Sequence, residues 1–304
     1  VSGRLFIIAG PAGAGKNRLM SHIMAQGIAH QLPTATTRAM RPGEQEGREH
    51  LFVSRAEFER MIAADELLEW QPVHDNLYGI HRPTLERLLS DGTALIADID
   101  IKGAQAARAA LGEQVVIVFV QAPNISALID RMRIRGESTA AIGLRLLRVR
   151  EELAFAAQAD AVLTNDDADH AADKLTSIVR AVLAEGRASA FCDPLIQYEY
   201  ALYGQAVVTH EGQMLARRRA PDYPVAPCDG DEQPATAARR ALLHDLPGLA
   251  QHITPAGQDG YCPPVIIDHR QDAAGTEIVT YSYLFPLSEP CDAPEGWSWI
   301  GGCP

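Results

Sequence analysis

Ten residues near the start constrain this chain more than any others: the apolar run RLFIIA (4–9) leads straight into GPAGAGKNRL (10–19). A short buried strand, a glycine-rich break and the helical spacing of KNRLMSHIMAQG read as strand, loop, helix. Gly10, Gly13 and Gly15, with Ala14 between the last two, let the backbone wrap so that several N–H groups point inward. The helix beginning at Lys16 adds the positive end of its dipole, and Lys16 can reach the terminal phosphates of a triphosphate. Glycine, four residues, glycine, lysine is the spacing of a P-loop. One position departs from it. The Ser or Thr that normally follows the lysine, and ligates magnesium, is Asn17. Its amide oxygen is longer and differently aimed than a hydroxyl, and Mg²⁺ demands hard oxygen donors at near-octahedral angles. The expectation is bound ATP with weakly held Mg²⁺, and Arg18 as a source of compensating charge.

Further buried strands are expected at TALIADID (93–100), VVIVFVQA (115–122) and DAVLTN (160–165), with helical patterns at 55–64, 82–90, 102–110, 124–134, 139–158 and 168–185. Strands alternating with helices imply an α/β parallel sheet covered on both faces. After AVLAEGRASAFCDP the texture changes. YEYALYGQAVVTHEGQMLARRRA reads as two strands joined at HEGQ, PATAARRALLHDL as a helix, and PPVIIDH, TEIVTYSYLFPL and GWSWI as strands. A chain of 304 residues suits two domains, and the boundary is placed at 187–197. The five cysteines all lie from residue 192 onward without a C-x-x-C pair, so neither a disulfide framework nor a zinc site is suggested. A net charge of −12 argues against nucleic acid and anionic membranes as partners and leaves small-molecule nucleotides, which clustered arginines can hold locally. With no long apolar span and no signal pattern, the cytoplasm is the expected location.

Between the phosphate loop and residue 185 the motifs TTR.MRPGE, FVS..EF, EW..V, YG and DID..GA occur in order. Together they resemble the guanylate kinase family, almost without gaps from residue 5 to about 185. The resemblance implies a P-loop core, a mobile acceptor-binding subdomain and a lid, transferring phosphate from ATP to GMP. It puts Arg38, Arg41 and Tyr78 on the acceptor phosphate, where forked guanidinium donors suit phosphate. Glu69 and Asp100 would accept from the guanine N1–H and 2-amino group, with Thr34 facing the base. Asp98 would be the acid at the end of a core strand near the metal. Two positions differ from the family. His50 stands where an aromatic hydroxyl is expected, and Ile80 where a small hydroxyl is expected beside the guanine carboxylate; losing that polar contact weakens discrimination by ~1–3 kcal/mol.

The stretch RMRIRGES followed by GLRLL resembles the family's lid, with Arg131, Arg135 and Arg145 aimed at the transferring phosphoryl group; the segment between Arg135 and Arg145 is one residue short. Phosphoryl transfer is mostly positioning and charge stabilisation, so these cations would join Lys16 as catalytic residues. Asn165 and Asp166 resemble the loop that touches the ATP adenine.

From residue 198 to the end, the layout resembles a Nudix hydrolase. Glu232 and Arg240 fall at the family spacing. The opening glycine is Ala226, the glutamate after the arginine is Ala241, the paired glutamates are His244 and Asp245, and Gly248 arrives one residue late. Positions 241, 244 and 245 are expected to share a helix face that holds Mg²⁺ poorly. The sequence therefore predicts a guanylate kinase-like domain (1–187) and a Nudix-like domain with an eroded metal box (198–304), active as a GMP or dGMP kinase but not as a hydrolase. Two alternatives are a kinase with a changed acceptor, such as a ribose phosphate or modified nucleotide, which His50 and Ile80 suggest, and a non-catalytic binding module, which Asn17 suggests.

Overall fold

The computed structural model describes residues 3–73, 75–186, 192–198, 200–210, 213–217, 225–229, 233–247, 249, 266–272, 274, 276–286, 294 and 297–301. Its elements are β1 (Arg4–Ala9), α1 (Lys16–Ala25), β2 (His30–Gln31), β3 (Thr34–Thr36), β4 (His50–Phe52), α2 (Arg55–Ala63), β5 (Leu67–Val73) and β6 (Asn76–His81). Next come α3 (Arg82–Ser90), β7 (Ala94–Asp98), α4 (Ile101–Leu111), β8 (Val115–Gln121), α5 (Ile125–Ile134), α6 (Thr139–Phe155), β9 (Ala161–Thr164) and α7 (Ala168–Glu185). Last are β10 (Tyr200–His210), β11 (Gln213–Arg217), β12 (Val225–Pro227), α8 (Pro234–Asp245), β13 (Ile266–Gln271), β14 (Glu277–Pro286) and β15 (Trp297–Gly301). They gather into two compact units, Val1–Pro123 with Val149–Gln197, and Asn124–Arg148 with Tyr198–Pro304.

The first unit is built on a five-stranded sheet in the order β2-β7-β1-β8-β9, parallel throughout. Strands covered on both faces need continuous apolar runs, and β1 and β8 supply them: Leu5 to Ile8 are 0 % exposed, and all of β8 is buried. The expected strands at 93–100, 115–122 and 160–165 are β7, β8 and β9, and the six expected helices are α2 to α7. The short edge strand β2, two exposed polar residues, carries no periodicity from which to be read.

A second, four-stranded sheet in the order β4-β3-β6-β5 was not among the expected strands. Two of its strands have only three residues, too short to show alternation. Its two faces differ. Ala35, Leu67 and Leu77 are buried with Phe58 and Met61 of α2, and Leu51 and Val53 pack against them. Because strand side chains alternate, Thr34 and Thr36, His50 and Phe52, Tyr78 and Ile80 are left on the opposite face.

The second unit contains a six-stranded mixed sheet, β13-β14-β10-β11-β15 with β12 paired to β10, and the helix α8 against β10, β12 and β14. All the strands and the helix expected after residue 198 are present, with the joint of β10 and β11 outside the described residues. The lid sequence, α5 and the first part of α6, clusters with this sheet. No described helix is long and apolar enough to cross a membrane.

Candidate active site

The phosphate loop is shaped by backbone angles that only glycine adopts freely. Gly10, Gly13 and Gly15 have φ of 131°, 88° and 95°. A Cβ on Gly10 would lie 2.1 Å from the Val120 carbonyl oxygen, and one on Gly15 would lie 2.2 Å from Nδ2 of Asn165. Gly15 caps α1, so the free N–H groups of that helix open into the loop. Lys16 donates from Nζ to the carbonyls of Gly10 (2.7 Å) and Pro11 (3.3 Å) and sits 3.8 Å from Asp98 at the end of β7. Burial pushes the Asp98 carboxyl above its ordinary pKa while the Lys16 ammonium opposes the shift. Asp98 thus lies beside Lys16, at the end of a core strand as expected.

Asn165, 3 % exposed, donates from Nδ2 to the carbonyl of Ala14 at 2.7 Å, tying the end of β9 to the loop. Asp166 is turned to its own backbone: the N–H of Asp167 donates to it and holds its pKa low. Arg18 is exposed and paired with Asp169 of α7 at 2.9 Å, and Asn17 is exposed on the first turn of α1.

On the other face of the four-stranded sheet, residues expected at the acceptor phosphate come together. Thr34 Oγ1 and His50 Nδ1 are 2.8 Å apart, and the His50 ring lies 5.9 Å from that of Tyr78. Burial, then the charge of Arg38, lowers the His50 pKa, so the imidazole is neutral at neutral pH. Arg38 lies over Phe52, 5.7 Å from the ring centre. Its fork is held by Glu44, through Nη2 to Oε1 at 2.7 Å and Nη1 to Oε2 at 3.1 Å. Those bonds, with the Arg41 N–H at 2.7 Å, hold the Glu44 carboxyl down at about 2. Glu44 has no role in the sequence reading, although the RPGE motif contains it; its signal was a carboxylate six residues from Arg38, close enough to hold the fork. Arg41 contributes its N–H to this cluster, while the residue itself is exposed.

Of the residues expected to read the base, Glu69 sits on the edge strand β5 at the far end of the same face, and Asp100 lies at the start of α4. Glu69 of β5 is the cross-strand partner of Ile80 on β6, and Ile80 is 4 % exposed. The Glu69 carboxylate lies against α4, so closely that a Cβ on Gly103 would be 1.7 Å from Oε2. Asp100 caps that helix, accepting from the Gly103 N–H at 2.9 Å. Burial, and secondarily the Asp100 charge, raises the Glu69 pKa to about 7. Gly103 is a second residue that sequence reasoning did not single out.

In the other unit, Arg131 lies on α5, Arg135 caps its end and Arg145 is exposed on α6. Arg135 and Arg145 meet on Glu137, each at 2.7 Å, one on each carboxylate oxygen.

A family model for guanylate kinase matches residues 2–182, which is more than half of the chain. The chain belongs to the guanylate kinase family. Guanylate kinase from Rhodopseudomonas palustris is 38 % identical over 181 residues, 59 % of this chain and 82 % of its own length. The crystal structure of guanylate kinase from Anaplasma phagocytophilum is 29 % identical, covers 60 % of this chain and 88 % of its own, and has a TM-score of 0.44. That of C. elegans Ap4A hydrolase is 15 % identical over 34 % of this chain and 80 % of its own, with a TM-score of 0.26. Membership of the guanylate kinase family implies nucleotide binding, with ATP and Mg²⁺.

Of the residues expected in a Nudix-like box, Glu232 and Gly248 lie outside the described residues. Ala226 lies on β12. Arg240 pairs with Asp229 at 3.1 Å and donates to the Pro227 carbonyl at 2.7 Å. Positions 241, 244 and 245 lie at different depths on α8. Ala241 is 6 % exposed, whereas the His244 side chain is 86 % exposed and meets Asp245 at 2.9 Å. Residues three apart on a helix fall about 60° short of a full turn, so Ala241 and His244 are neighbours, one at the core side and one toward solvent.

Proposed function

We propose that this chain transfers the γ-phosphoryl group of ATP to GMP or dGMP. The observation that supports this most is the open sheet face. It runs from a phosphate grip (Arg38 on Glu44, His50, Tyr78) to two carboxylates (Glu69, Asp100), one of them desolvated by Ile80, helix α4 and their surroundings. In this reading Arg38, Arg41, His50 and Tyr78 hold the acceptor phosphate, and ionised Glu69 and Asp100 accept from the guanine N1–H and 2-amino group. Adenine offers neither donor in that arrangement, so the buried carboxylate would be left unpaired.

The loop of Gly10, Gly13, Ala14 and Gly15 binds the donor's phosphates through backbone N–H groups, with Asn17, Arg18, Asn165 and Asp166 completing the ATP site. An oxygen of the acceptor phosphate forms the new P–O bond as the bond to the ADP oxygen breaks. Lys16 stabilises the charge that moves between them, as do the lid's Arg131, Arg135 and Arg145. The oxygen donors at the phosphate end, the Asn17 amide and the Asp98 carboxylate, fit Mg²⁺ chemically but are few. The ion, when bound, neutralises phosphate charge.

Residues 1–187 carry this activity, and residues 198–304 are a Nudix-like domain that does not hydrolyse. Arg240 there serves to pin the β12 end to α8. The test is Lys16→Ala in the full chain, assayed for ADP release with ATP, Mg²⁺ and GMP. Transfer is expected to fall by at least about a hundredfold with an unchanged circular dichroism spectrum. Wild-type rates in the variant would refute the assignment of the loop.

A further inference from the structure

One face of β14 is buried, and so is Ser282 on the other. Val279, Tyr281 and Tyr283 are at most 3 % exposed on one face, and Ser282 on the other is hydrogen-bonded to Gln205 at 2.7 Å. A tyrosine with no exposure must find a partner for its hydroxyl. Tyr281, 0 % exposed, finds it in the lid: its O–H donates to the carbonyl of Gly143 at 3.0 Å. Gly143 is buried in the interior of α6, where glycine is a poor helix former. Its carbonyl has one lone pair for the helix's own N–H and a second for an outside donor, and the missing Cβ leaves that backbone open to approach.

Arg145 lies two residues further along the same helix. Its Nε is 2.7 Å from Glu137, whose other oxygen is 2.7 Å from Nη2 of Arg135; the Glu137 side chain is 18 % exposed. The lid segment and the C-terminal sheet form one compact unit. We infer that Tyr281 is a positioning residue for Arg145, acting through the Gly143 carbonyl, so that the C-terminal domain holds the lid helix in register. This rests on the kinase reading above. Glu137 ties the two guanidinium groups to each other through side chains, while the helix itself is seated by its buried Ile142, Leu146 and Val149. The Tyr281 bond adds a directional tie at a backbone atom, two residues from Arg145, where side-chain rotamers cannot absorb a shift.

The test uses the full chain as wild type, Tyr281→Phe, Arg145→Ala and the double variant. Steady-state rates with ATP and GMP are measured alongside amide hydrogen exchange of residues 141–147, with exchange in β1 and β8 as the control for global unfolding. Loss of one hydrogen bond predicts a kcat about three- to tenfold lower in Tyr281→Phe. KM for GMP stays within about twofold, because an interaction felt only in the transition state leaves ground-state binding unchanged. On the Arg145→Ala background Tyr281→Phe costs nothing more, and exchange in α6 is faster while β1 and β8 are unaffected. An equal loss on both backgrounds, or an unchanged kcat with unchanged exchange, overturns the inference. If the wild type transfers phosphate to no acceptor, the kinase reading fails instead, and exchange alone decides: faster exchange confined to α6 upholds the pinning, and none overturns it.

Discussion

On the proposed reading, Glu69 makes guanine recognition depend on pH. Its carboxyl, ordinarily near 4.5, is raised to about 7, first by burial and then by the charge of Asp100. Only the ionised form can accept from two N–H donors; the protonated form turns an O–H toward them. In the free protein about nine-tenths of Glu69 is ionised at pH 8 and about one-tenth at pH 6. The value of kcat/KM for GMP is therefore expected to fall about tenfold between those values, with a limiting slope of one. A steady-state ADP-release assay at saturating ATP measures it. Glu69→Gln should leave a low value and only the shallower fall that the substrate phosphate's own ionisation gives every variant. Asp100→Asn keeps a competent cap for α4 while removing the neighbouring charge, and should move the limb to lower pH. Burial lowers the His50 pKa from its ordinary value, and its titration, like that of the substrate, is common to wild type and Glu69→Gln. The second ionisation of the substrate phosphate, near ~6, is common to all variants. The sign for stability follows: a carboxyl raised in the folded state favours the protonated form, so its contribution is complete below about 4.5 and lost as pH rises through about 7. An acid limb that persists unchanged in Glu69→Gln would refute the reasoning.

Gly103→Ala places a methyl group 1.7 Å from Glu69 Oε2 and 2.5 Å from Ile99 Cγ2, so the carboxylate must swing away; calorimetric titration is expected to show GMP affinity falling about tenfold or more, with ATP affinity unchanged. Asn17→Ser restores a hydroxyl at the phosphate loop and should lower the Mg²⁺ concentration needed for half-maximal rate, read from metal titrations of the initial velocity. With Ala241 in the core and His244 in solvent, the full chain is expected to release no product from ADP-ribose, diadenosine polyphosphates or oxidised dGTP with Mg²⁺, as followed by chromatography; release at a rate that Lys16→Ala does not change would contradict an inactive Nudix-like domain.

The parallel sheet was legible because β1 and β8 are buried on both faces and so written as unbroken apolar runs. The phosphate loop was legible because positive φ at Gly10, Gly13 and Gly15 admits few other residues. The four-stranded sheet was not: three-residue strands and a β5 carrying Pro72, with a register shift between Leu67 and Glu69, leave no clean alternation. The site residues on it were nameable only through motif resemblance. What no local pattern shows is which side chain holds which. Glu44 on Arg38, Gly103 beneath Glu69 and Glu137 between two lid arginines are relations of tertiary packing. The i, i+3, i+4 rule put Ala241, His244 and Asp245 together as neighbours, but the sheet beneath α8 decides which of them faces water.

The most direct test of the central claim is an acceptor panel: ADP release from ATP and Mg²⁺ with GMP, dGMP, AMP, CMP, UMP and ribose 5-phosphate, each compared by kcat/KM. GMP and dGMP are expected to lead, with AMP at least about tenfold behind, reduced from a wider gap by the apolar neighbour Ile80 of Glu69. Preference for ribose 5-phosphate or a pyrimidine nucleotide, or no transfer to any of them, would contradict the account.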